Sequence, residues 1–423
     1  LKHGSRWGRG RSPRFATRHL AAVAFRSDPF RGSHAGMTTP GAYTAGLRAA
    51  VSEGAVGPVT LVSGNEASDA DSIVAALLYA FLLSEVGEEV VIAVVKCRRE
   101  DMGLRSETAL LLRLCGVDPL HLIFLDDPGA AGLLKRAEKV VLTDHNAADG
   151  PLASLGDKVT EILDHHKDLG QHSHVQGAQR LIAFEGSQAT VASACSLVAE
   201  RFLAHPRGEE LLAREEGAAA RALLGVILID SINLDPAAKK VCSRDVAAAA
   251  ELMRIATKPA QEELFKVLDG AKFNAEFWAG LSVEQCLRYD FKRFEVSGMS
   301  CGLASVLCPL AALAAKEGWC EAASRHAADY DLYGVMVNTK LEGGGMAREL
   351  ALMARTDAIG PEVGDGGGMA SRAGAFLASY EGGLLALEPM AGVTGPPGMK
   401  AFRQKNVVAS RKQAAPAFLA FLE

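Results

Sequence analysis

The chain has 423 residues, enough for two or three domains with sizeable hydrophobic cores. Hydrophobic residues make up 49% and charged residues 22%, as in soluble globular proteins, and no apolar run approaches the roughly 18 residues that span a bilayer. A net charge of -5 gives no global attraction to polyanions, so an anionic substrate would need a local concentration of basic residues. The eight cysteines are scattered without Cys-x-x-Cys spacing, which argues against a disulfide framework or zinc ribbon and is typical of a cytoplasmic protein.

Residues 1–45 differ in composition from the rest of the chain. Seven arginines and one lysine face a single acidic residue, Asp28. This composition is typical of a mitochondrial or plastid transit peptide, which would place the protein in that organelle if residues 1–36 are a real leader. Alternatively, the segment is translated upstream sequence and Met37 is the true start. Both interpretations place residues 1–45 outside the fold.

From Ala55 to about Asp168, strands and helices alternate. Nearly continuous Val, Ile and Leu strands between helices predict a parallel sheet covered on both faces. The predicted strands are Val59–Val62, Val90–Val95, Leu120–Leu125, Lys139–Asp144 and Val159–Leu163. Helices are predicted over Ser72–Glu85 and Ser106–Cys115, and two more over residues 187–230.

A polar stretch from Ile255 to Asn274, which contains Pro259, predicts a domain boundary. The sequence therefore predicts an α/β protein with a doubly wound, mainly parallel first domain and a smaller second α/β domain. Its divisions are residues 46–256, a linker at 257–274, and residues 275–423. Strands predicted in the second domain are Val335–Asn338, Glu349–Met353 and Leu384–Leu387.

Acidic and histidine residues follow apolar segments at four places. Their motifs are Asp69-Ala70-Asp71, Asp144-His145-Asn146, Asp164-His165-His166, and Asp230 after the run from Leu224 to Ile229. In an open α/β sheet the carboxyl ends of strands converge on one crevice, where ligands bind. A single aspartate after a strand is commonly a helix cap, but four such motifs together indicate a shared site.

Grouped carboxylates with one or two imidazoles are ligands for Mn²⁺, Co²⁺ or Mg²⁺. Packing carboxylates together is unfavourable unless a cation neutralises them. A site this rich in carboxylates suits two metal ions about 3.5–4 Å apart, the arrangement used for in-line displacement at phosphorus. The chain also has a local anion site, because five basic residues and no acid lie between Pro396 and Pro416.

Taken together, these motifs resemble the DHH phosphoesterase superfamily, over residues 57 to 423. The branch that they resemble holds yeast-type cytosolic exopolyphosphatases, family II inorganic pyrophosphatases and prune-like proteins. The resemblance implies that five residues bind two divalent ions, of which Mn²⁺ is expected first and Mg²⁺ or Co²⁺ are alternatives: Asp69, Asp71, Asp144, His165 and Asp230. It also implies that Asp71 and Asp144 contact both ions, and that Asp164 orients the histidine pair.

Substrate-binding roles follow from the same resemblance. His166 resembles the family histidine that contacts phosphate. Arg288-Tyr289-Asp290-Phe291-Lys292 and Ser410-Arg411-Lys412 resemble the substrate motifs of the second domain, which places Lys292, Arg411 and Lys412 on the substrate. Arg99, in a stretch similar to one in exopolyphosphatases, either reaches phosphate or holds its own loop in place. Asp144, His166 and Asp71 are the residues expected to be catalytic.

Asn65 and His166 separate the branches of the family. Family II pyrophosphatases have a metal-binding histidine where this chain has Asn65, whereas exopolyphosphatases and prune-like proteins have asparagine, which is expected to bind substrate here. Prune-like proteins tend to have arginine where this chain has His166. The resemblance therefore implies an exopolyphosphatase that releases orthophosphate from the end of inorganic polyphosphate.

Two alternatives stay open at this point. One is a manganese-dependent pyrophosphatase or a prune-like enzyme acting on short polyphosphates or phosphodiesters. The other is a regulatory protein that binds polyphosphate or a protein partner without hydrolysis. We expect no nucleic acid or membrane partner, and we expect the protein to be a monomer or a dimer.

Overall fold

The structure, a computed structural model, consists of two α/β domains that share an interdomain cleft. It describes residues 39–54, 57–87, 89–186, 188–256, 259–341, 345–355 and 368–423. Most of the basic leader, including Met37, lies outside these ranges. Within the described parts of the chain, no helix is both long and apolar enough to cross a membrane.

Six parallel strands form the sheet of the first domain. They are β1 (Val59–Ser63), β2 (Val90–Val95), β3 (Ile123–Phe124), β4 (Ala137–Thr143), β5 (Val159–Asp164) and β6 (Arg180–Ile182). Their order is β3-β2-β1-β4-β5-β6, so the chain reverses its winding between β1 and β4. In such sheets the ligand crevice lies at this switch point, outside the carboxyl ends of the strands. A separate two-stranded hairpin follows, β7 (Phe184–Glu185) and β8 (Gln188–Ala189).

Among the described residues, eight α-helices belong to the first domain. They are α1 (Pro40–Ser52), α2 (Ala70–Val86), α3 (Ser106–Leu114), α4 (Ala130–Arg136), α5 (Ala194–Ala204), α6 (Gly208–Asp230), α7 (Ser243–Ile255) and α8 (Gln261–Lys272). Strand β1 is buried along its whole length, and α2 is buried over its first 13 residues. This explains why both segments are apolar on every side and show no amphipathic pattern.

The second domain is built on a mixed six-stranded sheet. Its strands are β9 (Asp290–Val296), β10 (Met299–Val306), β11 (Leu332–Lys340), β12 (Met346–Ala354), β13 (Leu387–Pro389) and β14 (Lys400–Gln404). Their order is β13-β14-β12-β11-β10-β9, with only β10 and β11 parallel. Its helices are α9 (Ala275–Gly280), α10 (Val283–Arg288), α11 (Leu310–Ala314), α12 (Trp319–Ala328), α13 (Met369–Ser379) and α14 (Arg411–Leu422).

Polar contacts join the two domains beside the cleft. Arg288 donates to the Asp101 carboxylate at 2.9 Å, and the buried Tyr289 hydroxyl donates to Glu107 at 3.2 Å. The Glu66 carboxylate accepts a hydrogen bond from the backbone N–H of Arg293 at 2.8 Å. These contacts place β9 and its polar residues against the β1–α2 loop.

The core of the first domain includes residues beyond both of its predicted boundaries. The fold begins before residue 46, because α1 starts at Pro40 and buries Tyr43 and Leu47 in the core. The predicted linker is largely the helix α8, whose Leu264 and Leu268 belong to the same core. The polar stretch is therefore the solvent-facing side of a packed helix.

Several predicted strands also differ from the structure. The strand predicted over Leu120–Leu125 is reduced to the two residues of β3, because a 3₁₀ turn occupies Pro119–His121. The predicted strand Leu384–Leu387 lies mostly before β13. Strands β9, β10 and β14 lie outside the strands predicted from the sequence. Asp230 is the last residue of α6, in the stretch for which a helix was predicted.

Candidate active site

Asp69 and Asp71 lie where β1 passes into α2. Asp69 is the N-cap of α2, and its carboxylate accepts a hydrogen bond from the backbone N–H of Ser72 at 3.0 Å. The turn is tight at Gly64, where an added Cβ would lie 2.5 Å from the carbonyl oxygen of Ser72. Only glycine permits this close approach, which brings the loop and the first turn of the helix together.

Asp71 is fixed by the N-terminus of α5. Its carboxylate accepts hydrogen bonds from the Ser193 hydroxyl at 2.6 Å and from the backbone N–H groups of Ala194 and Cys195 at 2.8 and 3.0 Å. Burial, followed by the nearby charge of Asp144, nevertheless raises the pKa of Asp71 well above its usual range. A cation at this place would keep the carboxylate ionised.

Asp144 follows β4 with a φ of 61°, in the left-handed region that non-glycine residues seldom adopt. This backbone turns its side chain into the crevice. One carboxylate oxygen accepts from the amide of Asn65 and the hydroxyl of Ser72, both at 2.7 Å. The other lies 3.1 Å from Nε2 of His165. Burial alone would raise the pKa of Asp144, but the bond to His165 and nearby positive charges hold it below its usual range.

Each of the two histidines after β5 has its Nδ1 atom beside an oxygen acceptor. Nδ1 of His165 lies 3.1 Å from the carbonyl oxygen of Val191, which can only accept, so Nδ1 carries the proton. Nδ1 of His166 lies 2.8 Å from the Asp164 carboxylate. Nε2 of His165 lies between the Asp144 carboxylate and Nζ of Lys412, at the place where a metal ion or a proton can bind it. Burial lowers the pKa of His166 to about 4.

The Asp164 carboxylate fixes the positions of both histidines. Besides His166, its carboxylate accepts from the backbone N–H of His165 at 2.7 Å and from the amide of Asn146 at 2.6 Å. The residue is fully buried and does not face the crevice. The predicted orienting role of Asp164 agrees with these contacts.

Asp230 provides the test of whether the site fits a metal ion. One of its carboxylate oxygens is buried and has no hydrogen-bonding partner within the described residues. Burial raises the pKa of Asp230 to about 7, and the charge of Asp69 adds to this effect. A buried carboxylate oxygen without a donor is unfavourable, and a cation would satisfy it. The ligand atoms of Asp144, His165 and His166 also lie within 4.8 Å of one another. The residues present therefore fit a divalent metal.

The second domain supplies positive charge to the same place. Nζ of Lys412, at the start of α14, lies 3.0 Å from Nε2 of His165. The charge of Lys292, on β9, acts on Asp144 and on His166. Arg411 is less available than predicted, because its guanidinium donates to the carbonyl and carboxylate oxygens of Asp290 at 2.9 and 2.5 Å.

Two residues predicted to bind substrate are occupied inside the protein. The amide N–H groups of Asn65 donate to the carboxylate and the carbonyl oxygen of Asp144, so Asn65 positions a metal ligand. The guanidinium of Arg99 forms a bidentate ion pair with Asp127 at 2.5 and 2.7 Å and lies over the ring of Phe124. Of the two roles open to Arg99, the structure has the one in which it holds its own loop.

Several residues beside the candidate ligands carry no signal in the sequence. Ser72 and Ser193 donate to the predicted ligands, yet a serine near a helix start is so common that it gives no signal. Lys240 and Lys272 lie close enough to Asp230 for their charges to interact. Lys96 contacts Nε2 of His145 at 2.9 Å. Single lysines far apart in the sequence predict no common site, so only the fold reveals their proximity.

Fold and site together define a two-domain α/β protein with a candidate metal site, rich in carboxylates and imidazoles, at its interdomain cleft. The family model described as the DHH family, N-terminal domain, matches residues 59–228. The model described as the DHHA2 domain matches residues 268–421. The two matches together span most of the chain, which therefore carries a DHH domain followed by a DHHA2 domain.

Curated relatives carry two kinds of name. The chain is 31% identical over 280 residues to exopolyphosphatase PRUNE1 of Bos taurus, covering 65% of this chain and 58% of that protein. It is 28% identical to a cobalt-dependent inorganic pyrophosphatase of Clostridium perfringens, over 40% of this chain and 28% of that protein. The chain thus spans little more than half the length of the bovine relative.

A solved structure shares the fold. It is described as a "putative family II inorganic pyrophosphatase" of Methanococcus jannaschii, with a TM-score of 0.55 and 18% sequence identity. The similarity covers 86% of this chain and 99% of that chain. At this identity the likeness shows the two-domain fold alone.

Proposed function

We propose that the protein is a metal-dependent exopolyphosphatase that hydrolyses the terminal phosphoanhydride bond of inorganic polyphosphate and releases orthophosphate. One observation carries the proposal: a crevice of carboxylates and imidazoles at the switch point of the first sheet faces lysines of the second domain. Negative ligands for cations and positive ligands for anions meet there, as a site for a metal phosphate requires. The exopolyphosphatase name of the bovine relative supports the same reaction.

The metal ligands in this proposal are Asp69, Asp71, Asp144, His165 and Asp230. They would hold two divalent ions, for which Mn²⁺ is our first choice and Mg²⁺ or Co²⁺ are alternatives. When bound, such ions lower the pKa of water and polarise the phosphoryl oxygens. The name of the Clostridium perfringens relative supports cobalt as one of the candidates.

The chain's own residues perform the remaining tasks. Asp164 holds Nδ1 of His166, so Nε2 is the ring nitrogen that can donate to a phosphoryl oxygen once it is protonated. Lys292 and Lys412 bring positive charge to the oxygens that gain negative charge in the transition state. Nothing in the geometry of the described residues calls for a covalent nucleophile, so we propose direct attack by water.

A pyrophosphatase is the second candidate, because both the Clostridium perfringens relative and the solved fold carry that name. Asn65 argues for the first candidate. Asn65 donates both amide hydrogens to Asp144, and asparagine has no imidazole to offer to a metal ion. We also propose a reducing, cytoplasmic compartment, which the eight free cysteines support.

The test is release of orthophosphate with Mn²⁺, Mg²⁺ or Co²⁺ from long polyphosphate, tripolyphosphate, pyrophosphate and a cyclic nucleotide. We expect fast release from the two polyphosphates and little from pyrophosphate. Asp144→Asn should remove more than about 99% of the activity, since even partners behind the ligands cost 10–100-fold. The exposed Asp157→Asn serves as the matched control.

Three results would contradict the proposal in different ways. Pyrophosphate as the best substrate would favour the second candidate. A cyclic nucleotide as the best substrate would indicate a phosphodiesterase. No release from any substrate by a metal-loaded protein would favour a binding or regulatory protein.

A further inference from the structure

The side chain of Arg411 joins the start of α14 to the strands β9 and β10. Its guanidinium donates to the carboxylate and the carbonyl oxygen of Asp290 at 2.5 and 2.9 Å, and to the carbonyl oxygen of Leu303 at 3.4 Å. The side chains of Arg411 and Asp290 are only 13% and 21% exposed. Hydrogen bonds between an arginine and a carboxylate are among the strongest in proteins, and water screens a pair this buried only weakly.

Lys292 belongs to the strand pair that Arg411 fastens. It follows Asp290 by two residues on β9, so the two side chains lie on the same face of the strand. Across the sheet it pairs with Leu303, whose carbonyl oxygen accepts from Arg411. Burial alone would raise the pKa of Asp290, but the charges of Arg411 and Lys292 hold it below its usual range. The Asp290 carboxylate is therefore ionised at neutral pH and binds Arg411 as a full charge.

Lys412 directly follows Arg411 in the first turn of α14. A capping box closes this turn, in which the side chain of Gln413 accepts from the backbone N–H of Ser410 at 2.9 Å. From the closed turn, Nζ of Lys412 reaches Nε2 of His165 at 3.0 Å. Successive residues of a helix share one rigid backbone, so the place where Arg411 is held also sets the place of Lys412. Direct contacts thus lead from Asp290 through Arg411 to the candidate metal centre.

We propose that Asp290 is a positioning residue, which holds Arg411 and thereby places Lys412 against the candidate metal centre. This inference rests on the proposed function, in which Lys292 and Lys412 act on phosphoryl oxygens. The pair of Asp290 and Arg411 keeps the two lysines at a constant spacing, because it joins the helix that carries one to the strand that carries the other. Lysines held in place in this way lose less conformational freedom when they bind a phosphoryl group.

The kinetic test removes the charge of Asp290 and keeps its shape. We expect Asp290→Asn to lower kcat/KM for tripolyphosphate about 10-fold, as is usual for a residue that orients a ligand-binding side chain. Asp290→Glu keeps the charge and should recover most of the activity. In the background of Lys412→Gln, adding Asp290→Asn should lower kcat/KM by less than about twofold, because both changes then remove the same contribution. A merely structural role of Asp290 would give the same loss in both backgrounds.

Asp331→Asn is the matched control. Asp331 is also little exposed, at 13%, and its carboxylate accepts from Arg355 and from the backbone N–H of Ser300, both at 2.8 Å. Ser300 lies near the start of β10, whereas Asp290 pairs with Ser305 near its end. This variant therefore breaks a similar ion pair at the opposite end of the strand, and kcat/KM should stay within about twofold of wild type.

Calorimetry with tripolyphosphate in chelator repeats the comparison without catalysis. Asp290→Asn should weaken binding about 10-fold when Lys412 is present and less than about twofold in the background of Lys412→Gln. If wild type hydrolyses nothing, the proposed function fails while this measurement still tests the positioning role. Should Asp290→Asn not fold, Arg411→Lys, which keeps the charge and loses the fork, is compared in the same two backgrounds.

Two kinds of result would overturn the positioning role. Tighter binding or a higher kcat/KM in Asp290→Asn would show that Asp290 keeps Arg411 away from the substrate. No change, or an equal loss with and without Lys412, would show that the pair does not act through this lysine.

Discussion

At the scale of single residues, the orientation of two imidazole rings decides what the site can bind. His165 and His166 are adjacent in sequence, yet different groups hold their Nδ1 atoms: the carbonyl oxygen of Val191 for one and the Asp164 carboxylate for the other. The first leaves Nε2 of His165 beside Asp144 and Lys412 in the crevice, and the second fixes the plane of the His166 ring. The Asp164 carboxylate does not itself face the crevice, but it controls which ring atom of His166 can bind a ligand there.

Asp164→Asn tests this control. The amide can no longer accept from His166, His165 and Asn146 at once, because one of its two oxygens becomes a donor. We expect metal affinity and activity to fall about 10–100-fold while the fold is retained. Titration with Mn²⁺ and the orthophosphate assay measure the two effects. Wild-type affinity in this variant would show that the histidines are oriented by packing alone; Asp157→Asn controls for loss of surface charge.

Asp230 gives a prediction about pH. Its pKa is raised from 3.8 to about 7 in the metal-free fold, so the folded state binds the extra proton. The stability linked to this proton is complete below about pH 4 and is lost as pH rises through 7. In chelator at pH 8, Asp230→Asn should therefore be more stable than wild type by about 2 kcal/mol, and the gain should vanish near pH 4.

With saturating Mn²⁺ at pH 8, wild type should become more stable than Asp230→Asn. The reason is that wild type has a metal ligand that the variant lacks. Urea unfolding at both pH values, with chelator or with metal, measures the four stabilities. A variant less stable than wild type in chelator would show that the buried oxygen of Asp230 is satisfied by the protein itself.

At the scale of elements, the joint between β1 and α2 brings residues of the candidate site together. The strand ends, the chain passes Gly64 without room for a side chain, and the first turn of α2 presents Asp71 and Ser72. The Ser72 hydroxyl then reaches Asp144 on β4 at 2.7 Å. One close backbone approach therefore sets the distance between ligands that come from two strands.

Gly64→Ala should open this joint. The new methyl group would meet backbone and side-chain atoms of Ser72 at 2.5–2.6 Å, which forces α2 to move. We expect a loss of about 1–3 kcal/mol in the free energy of unfolding and weaker metal binding. Gly270→Ala is the matched control: Gly270 lies in α8 with open space around its Cα, so alanine should stabilise that helix by about 0.5–1 kcal/mol. Unchanged stability and metal affinity in Gly64→Ala would contradict the role of this joint.

At the scale of the whole molecule, the site belongs to both domains. The proposed metal ligands come from the first domain, whereas Lys292 and Lys412 come from the second. Contacts beside the cleft, such as Arg288 with Asp101 and Tyr289 with Glu107, hold the two halves in register. Metal ions and anionic ligands that both halves contact should therefore stabilise the molecule as one unit.

Thermal unfolding tests this coupling. Mn²⁺ at about 100 times its Kd should add about 2.7 kcal/mol to stability, and tripolyphosphate without metal should also raise the Tm. Asp144→Asn should lose most of the manganese effect. Asp157→Asn should keep both. Two separate unfolding transitions, only one of which responds to ligands, would contradict coupling through the cleft.

The sequence by itself determined which residues carry charge and imidazole at the ends of β1, β4 and β5. Apolar runs that end in Asp or His are local patterns, and parallel strands bring their carboxyl ends together by a general rule. Local signals could not show that Arg99 and Arg411 are already paired with Asp127 and Asp290, nor that α8 belongs to the first core.

Only the tertiary structure decided how distant residues meet. Lys412, at the start of α14, contacts His165 across 247 residues of sequence, and no spacing in the chain predicts their meeting. The ring orientation of His165 likewise depends on Val191, 26 residues away. Periodicity and turn chemistry act over a few residues, whereas electrostatic pairing and burial act through space. The sequence therefore specifies the proposed metal ligands. The fold specifies which basic side chains remain free to bind an anion.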